Sequence, residues 1–155
     1  MNEKSCDTRC PISTSLGLLA LRLVAGASLA LHGWQKFHDP SMKSQFFEAV
    51  GKMGLPASNA LAWAAIVAEL VGGVMLALGF LTRLWAFLIL GVMGVAVFKF
   101  HAADPYQVKE LAAVYGTVAI AFLFGGAGRI SVDGMLFCKG KKGEEVPADD
   151  STEKF

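Results

Sequence analysis

The 155 residues carry 14 Lys and Arg against 13 Asp and Glu, a formal net charge of +1, with 54% hydrophobic and 17% charged residues and a mean hydropathy of +0.50. A charge this balanced, with no basic stripe to follow a phosphate backbone, excludes a nucleic-acid partner. A chain this apolar has too little polar surface to cover a soluble globule. Its charges are also segregated: Arg22 alone lies between Cys10 and Gln35, Glu69 alone between Met53 and Thr82, none between Leu84 and Phe98, and Glu110 alone between Glu110 and Gly128. Four stretches of this length and composition read as bilayer spans.

Residues 1–13 form a polar tail that contains Cys6 and Cys10. Their three-residue separation is neither the two-residue dithiol spacing nor part of a zinc ligand set. The first span covers about 14–37; it is too long for the apolar core of a cleaved leader and reads as a retained span. Gly26, Ala30 and Gly33 fall near one helical face, the small-residue pattern that lets membrane helices approach closely. A polar connection over 38–56 holds a short amphipathic helix at about 42–50, with Phe46, Phe47 and Val50 expected on the membrane interface.

The second span, about 57–80, follows Pro56, and the tight turn Gly79-Phe80-Leu81-Thr82-Arg83 leads into the third, about 83–101. So short a link makes these two spans antiparallel neighbours, with Thr82 as the expected cap of the third. In Asp104-Pro105-Tyr106-Gln107 the residue types match a capping box, Asp104 at the N-cap and Gln107 three positions on. The fourth span then covers about 105–124 and ends at Gly125-Gly126-Ala127-Gly128, and residues 138–155 read as a flexible tail. The expected fold is all-α: a polytopic membrane protein built as an antiparallel four-helix transmembrane bundle, because only helices satisfy their own amides in lipid. Both termini then lie on one side, which carries more Lys and Arg than the other, so the positive-inside rule makes it the cytoplasmic face of an inner membrane.

Ionisable residues inside spans are costly unless paired or hydrated, so they are the candidate site. By depth, Arg22 and Glu69 are expected to form an internal charge pair. His32 and Glu110 lie at similar depth on the non-terminal side, and positioned acid and base groups of this kind suit proton transfer. Glu110 is placed to pair with His32 or Lys36, Lys99 and His101 at the far end of the third span close the same vestibule, and Arg22, Lys36, Glu69 and His101 are the candidate substrate-binding residues. The glycine run after the fourth span follows a helix and lacks a phosphate-loop lysine, which removes a nucleotide reading. No metal site is read from the histidine and cysteine spacings.

The same residues carry a family resemblance. Arg22-Leu23 through His32-Gly33-Trp34-Gln35-Lys36-Phe37, then Gly54-Leu55-Pro56, Glu69-Leu70-Val71-Gly72-Gly73, Leu78-Gly79-Phe80-Leu81-Thr82-Arg83, Glu110 and Gly125-Gly126-Ala127-Gly128-Arg129-Ile130-Ser131-Val132-Asp133-Gly134 together resemble the DoxX family of small four-span membrane proteins. Ala127 stands where the family's closing phrase commonly has proline, and Ile130 precedes Ser131. Arg129 and Asp133, four residues apart, are expected to pair across this turn in a structural role. The resemblance implies a membrane subunit of a redox system, since relatives form the membrane part of thiosulfate:quinone oxidoreductase and others serve thiol and oxidative-stress complexes. It implies quinone as the ligand, a redox protein as partner alongside the lipid bilayer, and leaves a second copy of the chain as another partner. A small-solute transporter and a noncatalytic assembly subunit stand as alternative readings of the same polar residues.

Overall fold

The computed structural model describes residues 12–128 and 130–137. The cysteine pair Cys6 and Cys10, the tail from 138 and the Arg129 side of the expected Arg129–Asp133 pair lie outside the described residues. The described chain is helical: α1 (Ile12–His38), α2 (Pro40–Lys52), α3 (Ser58–Leu78), α4 (Thr82–Val95) prolonged by a π-helical turn (Ala96–Phe100), α5 (Tyr106–Gly125) and a short α6 (Val132–Phe137). Four of these are long and apolar enough to cross a membrane: Thr14–His38, Ser58–Leu78, Thr82–Phe100 and Tyr106–Gly125. The all-α four-span architecture read from the charge-poor stretches is therefore the one adopted.

Helices α1 and α3 pack with backbones nearly in contact. A Cβ added at Gly26 would lie 2.6 Å from the Gly73 carbonyl oxygen, and one added at Gly33 would overlap the Leu70 backbone. Gly73 in turn faces Ala30. The small residues of α1 thus let the α3 backbone approach at Leu70, Gly73 and Ala77, which is how dispersion contacts accumulate between helices that gain nothing from excluding lipid. Gly33→Ala should push the helices apart and lower stability by about 1–3 kcal/mol. Gly17→Ala, with no neighbour within 4 Å, should leave it unchanged or slightly raised. Thermal unfolding of the two variants in one detergent makes the comparison.

The interior between α1, α3, α4 and α5 is filled by Leu29, Leu76, Ala86, Ile89, Met93, Ala119 and Phe122. Many other apolar side chains face outward, Val24, Phe87, Phe98 and Phe124 among them. On a soluble protein that surface would be an aggregation hazard; on a bilayer-spanning one it is the lipid-facing wall.

Three local expectations are corrected. The apolar face of α2 turns onto the bundle instead of lying on the membrane interface: Phe47 meets Trp63 edge-on at 5.6 Å, Phe46 lies 6.1 Å from Phe100, and Val50 is buried. The helix is started by Asp39, whose carboxylate accepts from the Ser41 hydroxyl and the Ser41 and Met42 amides; these bonds, that of the Ser41 hydroxyl first, hold the Asp39 carboxyl below the usual range. Thr82 does not cap α4. Its hydroxyl is buried without a partner among the described residues, and the Leu81 and Thr82 amides donate instead to the two oxygens of Asp133, at 2.8 and 2.9 Å. Asp104 does not cap α5, whose N-cap is Pro105; the Asp104 carboxylate is taken by His101.

The turn between α3 and α4 explains why Asp133 is needed. Gly79 leaves α3 at φ 71°, and the Gly79 and Phe80 amides both return to the Met75 carbonyl, closing the helix. Leu81 then takes φ 49°, a left-handed conformation disfavoured for a side chain with a Cβ. The Asp133 carboxylate holds the strained amide, and the Asp133 amide bonds the Gly79 carbonyl at 2.9 Å, so α6 clamps this turn from 52 residues downstream of Leu81.

Candidate functional site

Lys36, in the last turns of α1, reaches across to Glu69 in the body of α3. Its Nζ lies 2.7 Å from both carboxylate oxygens and 4.7 Å from the centre of the Phe46 ring. Glu69 is almost fully buried and Lys36 partly so. A carboxylate withdrawn from water in this way needs a hydrogen-bonding partner this close, and the aromatic face of Phe46 adds an electron-rich wall to the ammonium.

The pair stands on the wall between two cavities. The larger, about 650 Å³, lies between α2, α3 and α4 and is lined by apolar side chains, among them Phe46, Val50, Leu55, Leu61, Leu90, Val92 and Phe100, with Lys36, Glu69 and His101 as its ionisable groups. Leu61, Phe87, Leu88 and Val95 line it and are also exposed on the outside of the bundle, so its mouth opens sideways toward the acyl chains. The smaller, about 150 Å³, lies between α1, α4 and α5; His32 and Tyr115 line it together with the same Lys36, Glu69 and His101. His32 packs edge-on against Tyr115 with ring centres 6.2 Å apart.

The fold thus gathers four sequence candidates, His32, Lys36, Glu69 and His101, and separates two others. Arg22 does not pair with Glu69. The register of α1 against α3 shows why: Gly33 faces Leu70, Ala30 faces Gly73 and Gly26 faces Ala77, so Arg22 comes level with the α3–α4 turn, about 18 Å along the helix from Glu69 at 1.5 Å per residue. There the guanidinium, 2% exposed, donates to three carbonyls: Nε to Ala77 at 3.1 Å, and its two terminal nitrogens to Ala127 and Ile130 at 2.7 Å each. These oxygens belong to a helix end and an irregular loop with no helical partner of their own, and the planar fork satisfies all three at once. Glu110 is exposed on α5, lines neither cavity and has no ion-pair partner among the described residues, so the expected His32–Glu110 pairing is not formed. Among the described residues no three His, Cys, Asp or Glu side chains converge as a metal-binding group.

Asp104 and Phe46 were missed from the sequence. Their residue types suit a helix cap and the membrane surface; the three-residue spacing of His101 and Asp104 is the signal in the sequence that points to their pairing.

The DoxX family model matches residues 17–102, from the second turn of α1 past the π-helical turn. The chain belongs to the DoxX family. The matched region of this DoxX protein holds His32, Lys36, Glu69 and His101, and so both cavity walls that carry charge. The chain is 31% identical over 137 residues to the Bacillus subtilis protein named "Putative oxidoreductase CatD", covering 88% of this chain and 98% of that one. It is 32% identical over 130 residues to an "Uncharacterized protein" of Haemophilus influenzae, covering 79% of this chain and 92% of that one. No solved structure matches.

Proposed function

We propose that this DoxX protein is the membrane subunit of an oxidoreductase system and that its larger cavity docks a quinone-type carrier from the bilayer, with the quinone oxygen at the Lys36–Glu69 pair. The observation that carries the reading is an ion pair set into an otherwise apolar cavity that opens onto lipid. A lipid-soluble ring with one polar edge fits those walls, and the volume is in the ordinary range for small-molecule sites. Lys36 spends two of its three N–H donors on Glu69, which leaves the third for a carbonyl oxygen. The name of the Bacillus subtilis relative supports the redox setting. Electrons are supplied or taken by a partner oxidoreductase, and the excess of Lys and Arg on the terminal side supports placing both termini in the cytoplasm.

Gly91 offers a direct test. It lines the larger cavity, and a Cβ there meets nothing within 4 Å. Gly91→Leu should therefore fill the cavity without disturbing the helices, and its helix propensity should hold or raise stability by up to about 1 kcal/mol. Quinone extracted from the mildly purified parent should be present in near-equal amount to protein and fall at least about tenfold in Gly91→Leu, a loss of about 1.4 kcal/mol or more in binding. Equal quinone in both preparations removes the cavity as the docking site.

A further inference from the structure

The π-helical turn ends α4 in an unusual way: the His101 amide bonds the Ala96 carbonyl at 2.9 Å, five residues back, and the widened turn brings Ala96, Phe100 and His101 all onto the wall of the larger cavity. His101 also lines the smaller one. Its Nδ1 lies 2.7 Å from the Asp104 carboxylate, whose side chain is 46% exposed at the loop before α5. A carboxylate can only accept, so neutral His101 carries its proton on Nδ1 and keeps a lone pair on Nε2.

Building on the quinone reading above, we infer that the His101–Asp104 pair makes the cavity sense the redox state of its carrier. A neutral His101 offers an acceptor, which a quinol hydroxyl satisfies and a quinone carbonyl does not. A protonated His101 offers an Nε2–H donor, which a quinone carbonyl and a quinol hydroxyl oxygen both accept, and removes the preference. Asp104 is the positioning residue: it fixes the tautomer and, from its half-exposed position, connects the ring to water. The other ionisable groups around His101 are Lys36 and His32 from α1, Glu69 from α3 and Tyr115 from α5, together with Lys109, whose Nζ contacts the Ala102 carbonyl. Lys36 and Glu69 cancel one another's charge, and His32 and Tyr115 line only the smaller cavity, which leaves the Asp104-bound imidazole as the group whose proton changes the balance of donors and acceptors in the larger one.

The test uses the full chain in lipid nanodiscs, titrated calorimetrically with decylubiquinone and decylubiquinol at about pH 8 and about pH 5.5, either side of the range in which histidines change charge. Two buffers of different ionisation enthalpy report the protons taken up. The parent should bind quinol about tenfold more tightly than quinone at the higher pH, the worth of one hydrogen bond, lose that preference at the lower pH, and take up protons on binding quinone. His101→Gln, which still bonds but does not titrate, should bind both forms alike at both pH values with no proton uptake. Asp104→Ala, at an exposed position, should narrow the preference severalfold and is read in the same way should His101→Gln fold poorly. An unchanged pH-dependent preference in these variants overturns the inference and leaves the docking reading intact. Absence of binding of either ligand to the parent overturns both.

Discussion

Arg22→Ala should be the most damaging single change in the protein, lowering stability by roughly 3–5 kcal/mol and folded yield with it. Three buried or part-buried carbonyls, of Ala77, Ala127 and Ile130, lose their donor together, and each hydrogen bond from a charged group is worth about 1.5–3 kcal/mol before the loop relaxes. Arg22→Lys should recover only a minor part, because a compact ammonium does not span acceptors placed for a planar fork. The damage should be local at first: hydrogen exchange is expected to rise in the 77–81 and 126–133 segments, which Arg22 and Asp133 tie to one another, before it rises in α5. Thermal unfolding in detergent measures the total, and an Arg22→Ala protein within about 1 kcal/mol of the parent would show that the loop finds other donors.

The second large effect belongs to Lys36 and Glu69. Lys36→Met should cost about 3–5 kcal/mol by leaving the Glu69 carboxylate buried without a counter-charge, and Glu69→Leu should cost somewhat less because the longer Lys36 reaches toward water. The double variant Lys36→Met with Glu69→Leu should be more stable than either single one, since an apolar pair of similar volume replaces the ion pair without an orphaned charge. Function separates from stability in that double variant. It should fold, keep the apolar cavity and bind quinone at least about tenfold more weakly than the parent, the loss of one charge-assisted hydrogen bond. Strictly additive stability losses in the cycle would mean that the two groups do not depend on one another, and parental quinone affinity in the folded double variant would place the ligand's polar contact elsewhere.

Much of the architecture is legible in the sequence, for a physical reason: in a bilayer each span must satisfy its own amides, so length and absence of charge determine where the helices are. The Gly26, Ala30 and Gly33 face of α1 was legible in the same way, because close helix approach in lipid needs small residues. Lys36, Glu69, His32 and His101 also stood out, since an ionisable side chain in a span needs a partner or a task.

Which of them meet was decided only by tertiary structure. Depth along isolated helices made Arg22 the natural partner of Glu69; the glycine contacts instead set a register in which Glu69 lies near the end of α1 that carries Lys36 and Arg22 lies at the opposite end, over carbonyls of a loop more than 100 residues away. Pairing energies of a few kcal/mol are won after the helices have docked, and the docking is governed by steric fit along the whole interface, so charge matching alone chose the wrong partner. Asp133 on the amides of Leu81 and Thr82, Asp104 on His101, and the inward turn of Phe46 are contacts of the same kind. Each residue type was suited to a local cap or surface role, and each was taken for a stronger one across the fold, where a strained turn, an imidazole or an apolar cavity wall offered more than the local amide or the lipid interface.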